Sequence, residues 1–157
     1  MVVQIDSREK RHIINRILGE FDSLGVRWFI SKLNVGDYMS MDNARLVIDR
    51  KQNMAEVAKN FTEPRFTREM ARAKDLGITI VFLIEHGGRI KELRDVAGWV
   101  NPRLAESPMA PSGERIYKRM IAFSGFYGVR WEFCDKRQTG KRIVEILKQG
   151  EVEARGK

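Results

Sequence analysis

Gly36-Asp37-Tyr38-Met39-Ser40-Met41-Asp42-Asn43-Ala44-Arg45-Leu46-Val47-Ile48-Asp49-Arg50-Lys51 is the stretch from which the rest of the chain is read. Residues 44–51 follow an Asp-Asn turn signal and carry a Leu-Val-Ile run, which predicts a β-strand. Side chains alternate faces along a strand, so Val47, Asp49 and Lys51 share one side and Leu46, Ile48 and Arg50 the other. A carboxylate and an ammonium then point the same way. Asp37, on the preceding strand or turn, would bring a second acid and make a small oxygen-rich site with one cation beside it. Hard divalent ions such as Mg²⁺ take such oxygen donors and keep several waters. A lysine next to them can orient an attacking water or offset charge on a phosphorane-like transition state. The same Asp-x-Lys spacing also fits an ordinary surface ion pair worth ~0–1 kcal/mol, and Gly-Asp is a common turn dipeptide.

The bulk composition narrows the classes. A chain of 157 residues fits one domain with its own core; residues 1–150 read as that domain and 151–157 as a frayed, charged tail. The longest apolar run, Ile78 to Ile84, is too short to cross a bilayer, and the N-terminus lacks the pattern of a signal peptide. A cytoplasmic location and no membrane partner are therefore expected. One cysteine excludes an internal disulfide, and with two histidines a zinc site is not expected. The net charge of +8, from 29 basic against 21 acidic residues, favours a polyanionic partner, nucleic acid above all.

Further elements follow from periodicity. Residues 2–6 read as a short buried strand, with Asp6 or Ser7 available to cap a helix whose apolar stripe runs from Ile13 to Leu24. Residues 26–33 and 37–41 read as strand, the latter paired antiparallel with 44–51. Helices are expected after Lys51 and from Pro64, then a strand at 78–84 covered on both faces. A Gly87-Gly88 hinge, a short helix at 90–98 and an irregular loop at 100–113 come next. A helix at 114–123, a strand at 129–133 and a last helix at 138–148 complete the chain. This pattern predicts an α/β sandwich around a mixed sheet, antiparallel in its first half. Nine basic residues from Arg103 to Arg142 predict a basic surface on the C-terminal third. Trp99, Tyr117, Tyr127 and Trp131 offer either stacking platforms or core packing.

Four short motifs, in order, carry a resemblance. Ile5-Asp6-Ser7-Arg8-Glu9 looks like the V-D-x-R-E opening of XPF-type structure-specific nucleases. Gly36-Asp37 followed by Ile48-Asp49-Arg50-Lys51 looks like that family's G-D…E-R-K signature, a variant of the P-D…(D/E)-x-K core, and Arg65-Phe66-Thr67-Arg68-Glu69 resembles its R-F-x-x-Q/E segment. The resemblance implies a restriction-endonuclease-like three-layer sandwich with a central mixed sheet flanked by helices. It implies a metal-dependent endonuclease acting on branched or flapped DNA, in DNA repair or recombination. Asp37, Asp49 and the main-chain carbonyl of Arg50 would hold Mg²⁺ or Mn²⁺. Lys51 would position or deprotonate the water, and Arg50 would buttress the site or touch phosphate. Asp6 would be a further acid, reaching the metal directly or through water and braced by Arg8 and Glu9, while Arg65 and Glu69 would sit beside the site. The alternative for Asp6, Arg8 and Glu9 is a structural ion-pair cluster. The alternative for Arg65 and Glu69 is an ordinary i,i+4 helix pair.

The chain departs from that pattern in two places. The first acid of E-R-K is Asp49, and the family's acid beyond the lysine falls at Ala55, with Glu56 next to it as a possible substitute. No helix-hairpin-helix pattern follows residue 86, so the match is to the nuclease domain alone, as in stand-alone bacterial or phage versions. A homodimer through the 114–128 and last helices is implied by analogy. A catalytically silent DNA-binding or scaffold domain of the same fold is the competing reading.

Overall fold

The strand over the decisive stretch forms as β4 (Asn43–Lys51) and lies inside a six-stranded sheet. The computed structural model describes residues 1–86 and 89–157, so the expected Gly87-Gly88 hinge lies outside the described residues. The other strands are β1 (Val2–Ile5), β2 (Arg27–Ile30), β3 (Tyr38–Ser40), β5 (Thr79–His86) and β6 (Arg130–Asp135), in the order β2-β1-β3-β4-β5-β6. β1–β3 and β3–β4 pair antiparallel, while β4–β5 and β5–β6 pair parallel. β2 departs from the expected antiparallel first half. It runs parallel to β1 because α1 (Arg11–Ser23) crosses over between them, as a helical connection between neighbouring strands requires.

Two apolar layers cover the sheet. Val47, Ile80, Phe82, Ile84 and Trp131 pack under α2 (Met54–Asn60), α3 (Pro64–Asp75) and α4 (Gly113–Tyr127). Val3, Ile5, Leu46, Ile48, Val81 and Leu83 pack under α1 and α5 (Thr139–Arg155). The alternation expected for β4 is therefore met, and β5 is buried along both faces. This is the predicted three-layer α/β architecture.

Several boundaries differ from expectation. Lys10, not Asp6 or Ser7, precedes α1, because both Asp6 carboxylate oxygens are engaged elsewhere. The short helix expected at 90–98 forms as a 3-10 helix over Leu93–Gly98, and another 3-10 turn spans Pro102–Ala105 inside the predicted loop. Gly113 opens α4 against that first turn; a Cβ there would meet the Trp99 carbonyl oxygen at 2.3 Å. The segment expected to fray from Glu151 is helical to Arg155, where Ser40 Oγ donates to Glu151 Oε1 at 2.5 Å. Trp131, offered as a stacking platform, is core: its ring stacks on Phe82 with centroids 4.7 Å apart and its indole N–H donates to the Met120 carbonyl. Trp99, Tyr117 and Tyr127 are partly buried against the same layer. Among the described residues no helix is long and apolar enough to cross a membrane.

Candidate active site

Gly36 sets the geometry of the acids. Its φ of +74° is a left-handed conformation that L side chains rarely adopt, and a Cβ there would lie 2.9 Å from Val47 Cβ. The turn it permits brings the chain close along β4, where Asp37 N donates to the Ile48 carbonyl at 2.7 Å. On the other side the Asp37 carbonyl accepts from Asp6 N at 2.8 Å. Asp37 is thus pinned between β1 and β4 by its backbone, and its Oδ2 accepts from Arg50 N at 2.8 Å.

Asp49 and Lys51 project from the α2/α3 face of β4. Lys51 Nζ lies 3.0 Å from Asp49 Oδ1 and over the rings of Phe66 and Phe82, at 5.4 and 5.7 Å from their centroids. Burial alone would lower the Lys51 pKa, but the Asp49 carboxylate, with Glu56 and Asp37 behind it, holds it above its ordinary value. Asp37 is pushed well above the usual carboxylate range, by burial first and then by the charges of Asp49 and Glu9. Glu69 is raised too, by burial and by Asp49.

These groups open on one cleft of about 300 Å³, lined by Arg8, Glu9, Gly36, Asp37, Asp49, Arg50, Lys51, Gln52, Glu56, Arg65 and Glu69. Hollows of about 680 and 670 Å³ lie beside it, but neither brings Asp37 and Asp49 together. The cleft is singled out by its chemistry, not its size.

Asp6 stands outside the cleft. It is fully buried; Oδ1 accepts from Leu33 N at 2.7 Å and Oδ2 from Arg8 Nε at 2.6 Å. Its burial favours the neutral form, yet these bonds hold its pKa below the ordinary value. The expected i,i+4 pair of Arg65 and Glu69 does not form. Arg65 Nε bonds Glu63 Oε2 at 2.7 Å, and Glu69 Oε1 accepts from Gly36 N at 3.4 Å across the cleft. Glu56 Oε2 accepts from Gln52 N, and the Glu56 N–H donates to Asn53 Oδ1, both at 2.8 Å, so Glu56 closes the start of α2 while lining the cleft.

Arg50 reaches through to the other face of the sheet. Nη2 bonds Glu9 Oε2 at 2.9 Å and Nη1 bonds Glu85 Oε1 at 3.3 Å, while Thr139 Oγ1 donates to that same Glu85 oxygen at 3.0 Å. Sequence reading missed Glu85 and Thr139. The available signal was an acid ending an otherwise apolar strand, a position that burial tolerates only with a partner.

The donor set is one of hard oxygens, suited to Mg²⁺ or Mn²⁺ more than to a soft ion. Burial first, and then the charges of Asp49 and Glu9, raise the Asp37 pKa, and a bound cation would offset both. Among the described residues no three acid, histidine or cysteine side chains form a ready-made cage. Backbone oxygen and water would have to complete the shell.

Comparison with solved structures finds XPF from Aeropyrum pernix, with 23% identity and a TM-score of 0.66 over 94% of this chain and 63% of that one. The same protein in complex with DNA matches with 20% identity and a TM-score of 0.66, over 98% of this chain and 66% of that one. The chain thus spans just under two thirds of the structures it resembles, and at this identity the likeness is one of fold. No curated protein matches it. The family model described as the ERCC4 domain matches residues 5–145. With nine tenths of its length inside that match, from β1 to α5 and including every residue of the cleft, the chain belongs to the ERCC4-domain family.

Proposed function

We propose that this chain is a metal-dependent endonuclease that hydrolyses DNA phosphodiester bonds, at branched, flapped or otherwise structured DNA. The observation that carries the reading is the meeting of Asp37, Asp49 and Lys51 in one cleft, where burial and then the Asp49 charge raise the Asp37 pKa. Asp37, Asp49 and the Arg50 carbonyl would hold Mg²⁺ or Mn²⁺, with Glu56 as a further oxygen donor. A residue's N–H and C=O leave a strand on the same edge; the Arg50 N–H meets Asp37, so its carbonyl is directed to that edge too. Such an ion supplies charge for the phosphoryl oxygens and lowers the pKa of bound water.

The chain's own groups do the rest. Lys51, charged and held at Asp49, stands ready to fix a water in line with the scissile bond and to offset developing charge. Arg8 and Arg65 offer guanidinium groups to phosphate at the rim of the cleft. Asp6 holds Arg8, and Arg50 carries its strand between Glu9 and Glu85. DNA as the partner is supported by the net charge of +8 and by family membership. A homodimer forms part of the same proposal, with exposed Ile121 and Phe126 of α4 as its apolar contact; a monomer mass in light scattering at micromolar concentration would count against it.

Labelled flap, fork and plain duplex DNA, incubated with and without Mn²⁺, test the activity. Cleavage of flap or fork that needs the ion is expected. Salt-sensitive binding with no cleavage under any condition would instead identify a silent DNA-binding domain.

A further inference from the structure

The cleft continues past Glu56. Gln52 and Glu56 also border the neighbouring hollow of about 670 Å³, whose other walls are Asn53, Ala55, Lys59, Thr62 and Arg103. Ala55 and Lys59 lie one helical turn apart on the same face of α2. Arg103 faces them from the 3-10 turn Pro102–Ala105. Both walls are built firmly. Asn101 is 2% exposed; its Oδ1 accepts from Arg103 N at 3.0 Å and its Nδ2 donates to the Pro111 carbonyl at 2.9 Å. The α2 wall is held by the Asn53 and Glu56 bonds described above.

Four of the nine basic residues from Arg103 to Arg142 pair with nearby acids: Lys118 with Glu114, Arg130 with Glu132, Arg137 with Asp135, Arg142 with Glu132 and Glu145. Lys59 and Arg103 have no acid partner among the described residues, and both are exposed. The same groove is lined by Ala55, where the resemblance leads one to expect a carboxylate. Ala55 lines this groove and not the cleft, so alanine keeps negative charge off the wall that carries Lys59 and faces Arg103.

We infer that this groove holds a single nucleic-acid strand continuing from the scissile phosphate, with Lys59 and Arg103 contacting its backbone from opposite walls. The inference rests on the nuclease reading for the strand's origin. Cations on two walls match a phosphate backbone, and the side-chain amides of Gln52 and Asn53 add neutral donors to the same groove. On this account the loss of the acid at 55 favours strand binding and is not a missing metal ligand.

Fluorescence anisotropy tests this with a labelled single-stranded oligonucleotide and a blunt duplex of the same sequence, titrated with salt in EDTA so that nothing is cut. The Lys59→Ala/Arg103→Ala double variant should flatten the log–log salt slope for the single strand by about 1.4, from two phosphate contacts at ~0.7 each. The Lys59→Arg/Arg103→Lys variant should keep the slope. Ala55→Asp should weaken single-strand binding several-fold. An unchanged slope in the double variant, or unchanged or tighter binding by Ala55→Asp, overturns the inference. Equal flattening for the blunt duplex would overturn the single strand as occupant. Because binding is read without metal, a lost slope alongside inactive wild-type protein would leave the groove standing and remove the nuclease.

Discussion

Asn in place of Asp37 or of Asp49 is expected to lower metal-dependent cleavage about 10³-fold or more while leaving the protein folded. Loss of a charged oxygen that helps hold the ion removes several kcal/mol of transition-state stabilisation, and each ~1.4 kcal/mol is tenfold in rate. The Asp37 variant carries a second, opposite effect. The pKa of Asp37 is raised in the fold from its ordinary 3.8, chiefly by burial and the Asp49 charge. As pH rises, the unfolded chain therefore gives up this proton first, and folding stability falls between the ordinary pKa and the raised one. Asn removes that loss and can still accept from Arg50 N. The metal-free Asp37→Asn protein should melt at least about 2–4 °C above wild type at pH 7, the shift expected for ~1 kcal/mol in a chain of this size. At pH 3, where the carboxyl is protonated in both states, the difference should vanish. A variant that cuts at the wild-type rate, or that melts lower at pH 7, contradicts the assignment.

Arg50→Leu should destabilise the protein by about 3–5 kcal/mol, the usual cost of stripping one partner from a buried ion pair. Its guanidinium, 6% exposed, is shared by Glu9 and Glu85, whose side chains are 7% and 11% exposed. Removing it leaves two buried carboxylates without the cation they share. A melting temperature lower by about 10 °C in circular dichroism is expected. Arg50→Lys should recover only part of it, since an ammonium lacks the fork that reaches both acids. An unchanged melting curve with lost cleavage would instead put the guanidinium on the substrate.

The parts of this site that were legible in the sequence are those set by local periodicity. Alternation along β4 is enough to put Asp49 and Lys51 on one face and Arg50 on the other. The nearly continuous apolar run at 78–84 is enough to place β5 between two layers. Partners distant in sequence left no such trace: Glu85 and Thr139 join Arg50 only because β4, β5 and the start of α5 meet in space. The i,i+4 spacing of Arg65 and Glu69 proved a poor guide. Glu63 at the start of α3 captures the arginine, while burial beside Gly36 draws the glutamate inward. Asp6 left two readings open for a related reason. An acid at a strand end can be a ligand or a brace, and only the turn at Leu33, which donates to it, separates the two. The parallel pairing of β1 and β2 depends on α1 crossing over, which spacing alone does not reveal.

The most direct measurement is the anomalous scattering of a crystal of this protein soaked in Mn²⁺. One strong peak should appear in the cleft, about 2.0–2.3 Å from a carboxylate oxygen of Asp37 and one of Asp49, and it should disappear in Asp49→Asn crystals. A cleft without manganese at saturating concentration, or a peak bound only by other residues, would contradict the account.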